Sequence, residues 1–242
     1  MIVINNLSKS FGGIKVLDQV SLTVREGESL FVLGKSGVGK SVLLKSIVGL
    51  TPSDSGSISV AGLTVDVHHK AALEEIRKKC GLVFQFPALL DSATVFENIC
   101  FGLNVHYRGL SSLDLESKAK EKLALVGLNS KILSRFPNEL SYGVQKRVSI
   151  ARTLAIEPEY LLFDEPTTGM DPVVTQGLNQ LIRHLTAKLK VTTVVVSHDI
   201  KSAFGVANRI ILLESGKIVF DGTPNEFRQS SVSLAREFQV GI

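Results

Sequence analysis

The sequence predicts an α/β fold, in which helices cover a mainly parallel β-sheet and one helical block interrupts it. Three observations lead to this prediction. Short apolar runs alternate with amphipathic segments in the first and last thirds of the 242-residue chain. Strand signals vanish between about residues 86 and 156, where apolar residues recur at three- and four-residue spacing. Hydrophobic residues make up 44% of the chain, which is enough to bury a core.

Runs rich in Val, Ile, Leu and Phe, bounded by Gly, Pro or Asn, mark the strands of the core. In the first third they predict strands over residues 2–4, 20–24, 29–33, 58–60, 63–65 and 81–84, with a helix from about 40 to 49. In the last third they predict strands over 160–163, 191–196, 210–213 and 217–220, with helices over 173–189 and 200–207. The helical block contributes helices over 95–103, 115–126 and 143–156, and Pro87 and Pro137 mark breaks near its ends.

Composition narrows the class of protein. No stretch approaches the roughly 20 apolar residues that a bilayer-spanning helix needs, and the first residues lack the pattern of a signal peptide. We therefore expect the chain to stay in the cytoplasm. Cys80 and Cys100 are too few for a disulfide framework and fit a reducing compartment. The net charge of +4 is compatible with nucleic acid or an anionic membrane, but the basic residues are scattered, so charge alone selects no partner.

A glycine-rich loop follows the predicted strand 29–33 and precedes the first predicted helix. Residues 34–41 match the phosphate-binding pattern G-x-x-x-x-G-K-[ST]. Glycines let successive backbone N–H groups point at the phosphates, and the start of the following helix adds partial positive charge. We expect Lys40 to reach the β- and γ-phosphates and Ser41 to ligate Mg²⁺. The predicted nucleotide-binding residues of this loop are Gly34, Lys35, Ser36, Gly37, Val38, Gly39, Lys40 and Ser41.

The predicted strand 160–163 ends in two carboxylates. Asp164 is placed to hold Mg²⁺ through water, because Mg²⁺ keeps several of its waters when it binds a protein. Glu165 is placed to polarise the water that attacks the terminal phosphate. Together with the glycine loop, this pair predicts nucleotide hydrolysis.

A third motif separates the chain from other phosphate-loop enzymes. Residues 138–147, Asn-Glu-Leu-Ser-Tyr-Gly-Val-Gln-Lys-Arg, resemble the signature of ATP-binding cassette (ABC) ATPases, usually Leu-Ser-Gly-Gly-Gln. Other elements of that family follow in its order over nearly the whole chain. Phe11 is similar in position to the aromatic residue that stacks on adenine, and Gln85 to the glutamine of the Gln loop. Residues 168–171 resemble the D-loop, and His198 resembles the switch histidine.

The resemblance implies a phosphate-loop NTPase (RecA-like) parallel-sheet core with an N-terminal antiparallel β subdomain and an inserted α-helical subdomain. One ABC nucleotide-binding domain would then span residues 1–242. Its catalytic core with the β subdomain would occupy residues 1–85 and 157–242, and its helical subdomain with the signature residues 86–156.

In that family two nucleotide-binding domains pair head to tail, and the signature of one covers the ATP on the glycine loop of the other. The resemblance implies that Ser141 and Gly143 contact the γ-phosphate in trans, and that His198 contacts it from the same subunit. It places Asp171 at the dimer interface. The residues implied to act in catalysis are Glu165, His198 and Gln85, and those implied to bind Mg²⁺ are Ser41, Gln85 and Asp164.

The signature departs from the usual pattern at two positions. Tyr142 and Val144 stand where the family has Gly and Gln, which leaves the rate of hydrolysis open. The two residues expected to touch phosphate, Ser141 and Gly143, are retained. We also expect Ser141 to cap the helix that follows it, because serine is a preferred N-cap residue.

Residues 88–99, just after Gln85, are similar to the Mla-type subfamily of bacterial lipid-trafficking ATPases, and residues 169–172, 194–199 and 236–241 point the same way. This resemblance implies ATP and Mg²⁺ as cofactors. It implies three partners: a second copy of the chain, a membrane permease and a lipid-binding protein that acts through the permease, with no nucleic acid. It also implies a peripheral location at the cytoplasmic face of the inner membrane of a bacterium.

Three alternatives remain open at this stage. An importer for polar amino acids would use an ATPase that shares most of these segments. A soluble ABC protein of DNA repair or translation usually carries two cassettes or a long coiled coil, and neither is found in this sequence. A small phosphate-loop kinase or GTPase is disfavoured by the signature and by His198, and the guanine-binding Asn-Lys-x-Asp segment is missing. The transport direction and the lipid are also left open.

Overall fold

Ten strands form two sheets in the part of the chain that the computed structural model describes, residues 1–107 and 109–239. Val240 and Gly241, which belong to the tail segment compared above with lipid-trafficking ATPases, lie outside these described residues. In chain order the strands are β1 (Ile2–Phe11), β2 (Ile14–Val24), β3 (Ser29–Leu33), β4 (Ser55–Val60), β5 (Leu63–Thr64), β6 (Cys80–Val83), β7 (Tyr160–Asp164), β8 (Thr192–Ser197), β9 (Arg209–Glu214) and β10 (Lys217–Gly222).

The two sheets differ in the direction of their strands. The N-terminal sheet has the order β2-β1-β4-β5 and is antiparallel throughout. The larger sheet has the order β10-β9-β3-β8-β7-β6 and is parallel except for the antiparallel pair β9 and β10. Parallel neighbours need crossover connections, which the helices supply. The predicted fold class, a parallel-sheet core with an antiparallel N-terminal sheet and an inserted helical block, is confirmed.

Helices alternate with the strands of the larger sheet and form a block between β6 and β7. None of the helices that the structure describes has a run long and apolar enough to cross a bilayer. Short 3₁₀ turns lie at Ser130–Ile132 and Pro137–Glu139. The α-helices of the described residues are α1 (Lys40–Ile47), α2 (Lys70–Lys79), α3 (Val95–His106), α4 (Ser112–Leu125), α5 (Tyr142–Leu154), α6 (Pro172–Leu189), α7 (Ile200–Val206), α8 (Pro224–Arg228) and α9 (Ser233–Gln239).

Some elements differ from the sequence-based expectation. Helix α2 was not predicted, because only Leu73 and Ile76 of it are buried, and one apolar pair gives no sustained helical period. Strands β1 and β2 extend further than expected. Register shifts between Ile4 and Ser10 interrupt the regular alternation on which the prediction depended.

Strand β3 is buried on both faces. Phe31 and Leu33 pack into a core with α3 to α7, whereas Leu30 and Val32 pack into a second core with α1 and the N-terminal sheet. Successive side chains of a strand point to opposite faces, so a continuous apolar run is what such a position requires. Packing on both faces therefore fixes the position of Leu33, from which the next loop begins.

The carboxyl ends of four parallel strands meet at one edge of the larger sheet. Leu33 of β3 pairs with Ser197 of β8, and Asp164 of β7 pairs with Val196. Strand β6 lies beside β7 and ends two residues before Gln85. Ligands of open α/β sheets bind at this edge, so the topology brings all the predicted motifs of the core together.

Candidate active site

In the glycine loop between β3 and α1, the backbone conformation favours glycine at two positions. Gly37 and Gly39 have φ values of 81° and 103°, which side chains disfavour. A Cβ atom on Gly39 would also lie 2.7 Å from the carbonyl oxygen of Val16. Helix α1 starts directly after Gly39, and among the described residues no side chain caps it. Its first N–H groups are thus available to an anion.

Lys40 lies at the floor of this loop with only 5% of its side chain exposed. Its Nζ donates to the carbonyl oxygens of Gly34 at 2.8 Å and Lys35 at 3.0 Å. It also lies 3.2 Å from Oε1 of Glu165. A buried cation is tolerated only when it is paired and hydrogen-bonded, and these three oxygens meet that need. The ammonium group is therefore held where phosphates of a bound nucleotide would meet it.

Ser41 and Asp164 bring two oxygen ligands together. The hydroxyl of Ser41 donates to Oδ1 of Asp164 at 2.6 Å, and Asp164 is buried at the end of β7. Hydroxyl and carboxylate oxygens suit Mg²⁺, which binds proteins through one or two such groups and keeps several waters. The residues present thus fit the ion: Ser41 and Asp164 would hold it, and Gln85 lines the same cavity. When bound, Mg²⁺ neutralises charge that develops on the phosphates.

Glu165 is held by groups at the end of β8 and in the turn that follows β7. Its φ is 45°, an uncommon value for a residue with a side chain. Its backbone N–H donates to the carbonyl oxygen of Val196 at 2.9 Å. Oε2 lies 2.7 Å from Nδ1 of His198 and accepts a bond from the Thr168 hydroxyl at 3.1 Å. Strained backbone of this kind costs on the order of 1–3 kcal/mol and clusters at active sites. The carboxylate is thereby directed into the cavity.

These groups surround a cavity of about 710 Å³, within the range of small-molecule sites. It brings together most of the predicted loop residues with Gln85, Glu165 and His198. Val16 and Phe238 were not predicted. No local motif marks them, because only the packing of β2 and α9 brings them to the loop. The described residues that line the cavity are Val16, Lys35, Ser36, Gly37, Gly39, Lys40, Ser41, Val42, Gln85, Glu165, Thr168, His198 and Phe238.

Phe11, predicted to stack on adenine, lies at the end of β1 with its ring half exposed. The ammonium group of Lys9 lies 5.2 Å from the centre of that ring. Among the residues that the structure describes, Phe11 is not one of those that line the cavity. Its contact with a nucleotide stays a prediction.

The signature residues lie on the exposed start of α5, outside the cavity. Ser141 occupies the N-cap position, but its hydroxyl makes no capping bond within the described chain, so the expectation of a serine side-chain cap is wrong. The approach to the helix is instead fixed by Gln145, whose amide donates to Pro137 at 2.9 Å and Leu140 at 3.0 Å. A Cβ atom on Gly143 would lie 3.1 Å from a methyl group of Val174. The hydroxyl and the first N–H groups of α5 thus remain open to an anion.

Asp171 caps helix α6. Its Oδ1 accepts bonds from the N–H groups of Val173 and Val174, each at 3.0 Å, and Pro172 occupies the first helical position. Asp171 and Val173 are both exposed. Their exposure suits an interface, and the place of Asp171 in one stays a prediction.

Comparisons with known proteins agree with this geometry. The family described as ABC transporter matches residues 17–168. The methionine import ATP-binding protein MetN of Clostridium tetani is 39% identical over 218 residues, which cover 90% of this chain and 68% of that protein. The "Probable ribonucleotide transport ATP-binding protein mkl" of Mycobacterium tuberculosis is 38% identical over 240 residues, which cover 99% of this chain and 66% of that protein. The chain thus spans about two thirds of the length of these relatives.

A solved structure is similar over almost its whole length. It is the dimeric post-hydrolysis state of the ATP-binding cassette MJ0796 bound to ADP and Pi, with a TM-score of 0.84 and 33% sequence identity. The match covers 93% of this chain and 99% of that one. The predictions of an ATPase, of ATP and of Mg²⁺ are confirmed, whereas none of these proteins specifies the Mla-type subfamily. Because the matched region holds the glycine loop, the signature and the carboxylate pair in the arrangement described above, the chain belongs to the ABC transporter family, as one of its ATP-hydrolysing domains.

Proposed function

We propose that this chain is the ATP-hydrolysing subunit of an ABC transporter, which pairs head to tail with a second copy and drives a separate membrane permease. One observation carries the pairing. Glu165 and His198 line the cavity at the glycine loop, whereas Ser141 and Gly143 lie on the exposed start of α5 outside it. One copy holds both halves of a site without bringing them together. The dimeric state of the MJ0796 cassette supports the proposal.

In the paired state the phosphates of ATP lie against the N–H groups of the loop and the Lys40 ammonium group. Lys40 then turns from Glu165 toward the phosphates, which frees the carboxylate to act on water. Glu165 takes a proton from that water as its oxygen attacks the γ-phosphorus and the bond to the β–γ bridging oxygen breaks. His198 and the Ser141 hydroxyl of the second copy stabilise the charge of the γ-phosphoryl group from opposite sides.

A mixing experiment tests the pairing. Lys40→Ala removes the loop cation, and Ser141→Arg places a bulky charge at the signature, so each variant alone should lack turnover. A mixed dimer keeps one intact site, built from the loop of one chain and the signature of the other. Random mixing should restore about a quarter of the wild-type rate, because half of the dimers are mixed and one of their two sites is intact. An unchanged rate in Ser141→Arg alone, or no recovery on mixing, contradicts head-to-tail sharing.

An apolar surface on the proposed helical subdomain, residues 86–156, supports a permease as partner. Phe86 is 67% exposed, and Phe101 and Val105 on α3 are 54% and 61% exposed. Phe101 and Val105 are four residues apart and share a helix face. The Asn98 side chain, which bonds the N–H and carbonyl of Leu90, fastens the loop between Phe86 and α3 to that helix. We propose that an apolar cytoplasmic helix of the permease docks here.

The double variant Phe101→Glu/Val105→Glu tests the docking surface. It should abolish co-purification with the membrane subunits and leave the ATPase rate of the isolated chain unchanged. Leu113→Glu is the matched control, because Leu113 is a 78% exposed apolar residue at the start of α4. Retained co-purification of the double variant, or an equal loss with Leu113→Glu, contradicts the assignment of this surface.

For the cargo, we propose lipids moved between membranes, with a lipid-binding protein acting through the permease at the inner membrane of a bacterium. The similarity of residues 88–99 to Mla-type ATPases supports this proposal. A second candidate is the import of a polar amino acid. The methionine import relative supports an amino acid as cargo, but methionine has an apolar side chain, so this relative does not favour a polar one. That relative and the one named for ribonucleotides are 39% and 38% identical, so overall identity does not select a cargo.

Purification of the chain with its membrane subunits, followed by mass spectrometry of the bound molecules, distinguishes the two cargos. A co-purified phospholipid, enriched over its share of the bulk membrane, together with a lipid-binding protein, supports lipid transport. An extracytoplasmic amino-acid-binding protein in the complex, with no enriched lipid, overturns it in favour of the importer.

A further inference from the structure

The loop that carries Gln85 is fastened to the signature helix by a buried lysine. Lys146 of α5 is fully buried, and its Nζ donates to the carbonyl oxygens of Phe84 at 2.5 Å and Gln85 at 2.8 Å. Burial lowers the pKa of Lys146 to about 8, which reflects the cost of removing an ammonium group from water. That cost is offset by hydrogen bonds and by the negative charge of Asp164, and in the described chain the hydrogen-bond acceptors of Lys146 belong to the loop.

A second basic side chain of α5 holds the next part of the same loop. The guanidinium group of Arg152 donates to the carbonyl oxygens of Ala88 at 2.8 Å and Pro87 at 3.4 Å. Ala88 has a φ of 49°, an uncommon backbone conformation that the Arg152 bond helps to maintain. The Tyr142 hydroxyl reaches the carbonyl of Gln85 at 3.4 Å, which is long for a bond from a hydroxyl group. Four carbonyl groups between residues 84 and 88 thus accept bonds from α5.

Gln85 therefore contacts two different parts of the molecule. The residue lines the nucleotide cavity, while its carbonyl is bonded to α5. Strand β6 ends at Val83, so the sheet no longer fixes the backbone at this point. The position of the Gln85 amide relative to Asp164 and Glu165 depends on where α5 lies.

We propose that Lys146, assisted by Arg152, is a positioning residue for ATP hydrolysis: it ties the Gln85 backbone to the signature helix, so that the Gln85 side chain moves with that helix relative to the nucleotide cavity. The inference rests on the proposed role of Gln85 in the catalytic site. A displacement of about 1 Å at a reacting group can cost on the order of a hundredfold in rate, so a loosened Gln85 should slow turnover more than it weakens ATP binding.

The variant Lys146→Met tests the tether, because methionine fills similar space without a donor. We expect kcat for ATP hydrolysis to fall tenfold or more, with KM and the Kd for ATP changed less than about twofold. Lys146→Arg, which keeps donors at this position, should recover most of kcat. The matched control is Lys122→Met. Lys122 is another buried lysine of the helical block, 4% exposed, and it pairs with Glu121 and Glu157 rather than the loop. Its loss should therefore lower the melting temperature and leave kcat unchanged.

A double-variant cycle with Gln85→Ala separates positioning from structural damage. If Lys146 acts through Gln85, Gln85→Ala/Lys146→Met should be no slower than Gln85→Ala alone. Three results would each overturn the inference. In the first, the losses of kcat in Gln85→Ala and Lys146→Met multiply in the double variant. In the second, kcat is unchanged in Lys146→Met, and in the third, Lys122→Met loses as much kcat as Lys146→Met. If Gln85→Ala alone hydrolyses at the wild-type rate, the assigned role of Gln85 fails; a Lys146→Met variant that is nonetheless slow would then show that Lys146 acts by another route.

Discussion

The glycine-loop side of the active site and the signature side are built in different ways. On the loop side the charged groups are paired within one chain, since Lys40 contacts Glu165 and Ser41 contacts Asp164. On the signature side Ser141 is exposed, and its hydroxyl does not cap its own helix in the described chain. The loop side is thus organised within one chain, whereas the signature side leaves the Ser141 hydroxyl without a capping bond in the described chain and, in the proposed pairing, presents it to a second copy.

The two sides also differ in their tolerance of side chains. Gly39 cannot carry a Cβ atom, because the atom would overlap the carbonyl of Val16. Tyr142 replaces the glycine usual in the family, yet it stands at the first helical position of α5, where the backbone accepts side chains, proline included, without strain. Substitutions on the loop side should therefore have the larger effects.

The largest effect is expected from Lys40→Ala. This change removes the cation that faces the phosphates and leaves the carbonyls of Gly34 and Lys35 without their donor. We expect no measurable ATP turnover, read from phosphate release, with Lys45→Ala on the same helix as an active control. Unchanged ATPase activity of Lys40→Ala would count against the assignment of the entire site.

Glu165→Gln should give the next largest effect. The amide keeps the size and the bonding position of the side chain but takes up no proton, so ATP should bind while the chemical step fails. We expect turnover to fall at least a thousandfold, which corresponds to ~4 kcal/mol of barrier. Size-exclusion chromatography with ATP should then reveal a trapped dimer. In this dimer the glycine-loop side of one chain meets the signature side of the other.

Glu159→Gln is the control for that variant, because Glu159 is an exposed carboxylate that pairs with Lys79 away from the cavity. Hydrolysis by Glu165→Gln at the wild-type rate would refute the role of Glu165 as base. A slow variant that stays monomeric with ATP would keep that role and contradict the closed dimer.

The buried centre of the fold could be predicted closely from the sequence. The expected strands 29–33 and 160–163 match β3 and β7 within one residue, because a strand covered on both faces needs a continuous apolar run. Helix α8 was missed although Thr223, Pro224 and Glu226 form a recognisable capping box with proline at the first position. Helix α9 is short and carries no such signal.

The candidate site was predictable where one local motif supplies both the chemistry and the backbone that presents it. The glycine loop and the pair Asp164 and Glu165 are of this kind. Phe238 and Lys146 are not, since their roles arise from contacts between segments far apart in the chain. Lys146 reaches carbonyls more than 60 residues away, and its sequence neighbours give no sign that it is buried. The sequence also did not reveal that the Ser141 hydroxyl makes no capping bond in the described chain. The residue type predicts a preferred N-cap but not the rotamer of its side chain.

The smallest effect is expected at Tyr142, and it tests the tolerance of the signature side. Tyr142→Gly restores the usual residue and removes one long bond to Gln85 at a helix start, where the propensity cost of glycine is at most about 1 kcal/mol. We expect kcat to be preserved or raised, and Tyr142→Phe, which removes only the hydroxyl, to behave like the wild type. A collapse of activity in Tyr142→Gly with normal activity in Tyr142→Phe would mean that the aromatic ring contacts the nucleotide or the partner, and that the signature side is as demanding as the loop.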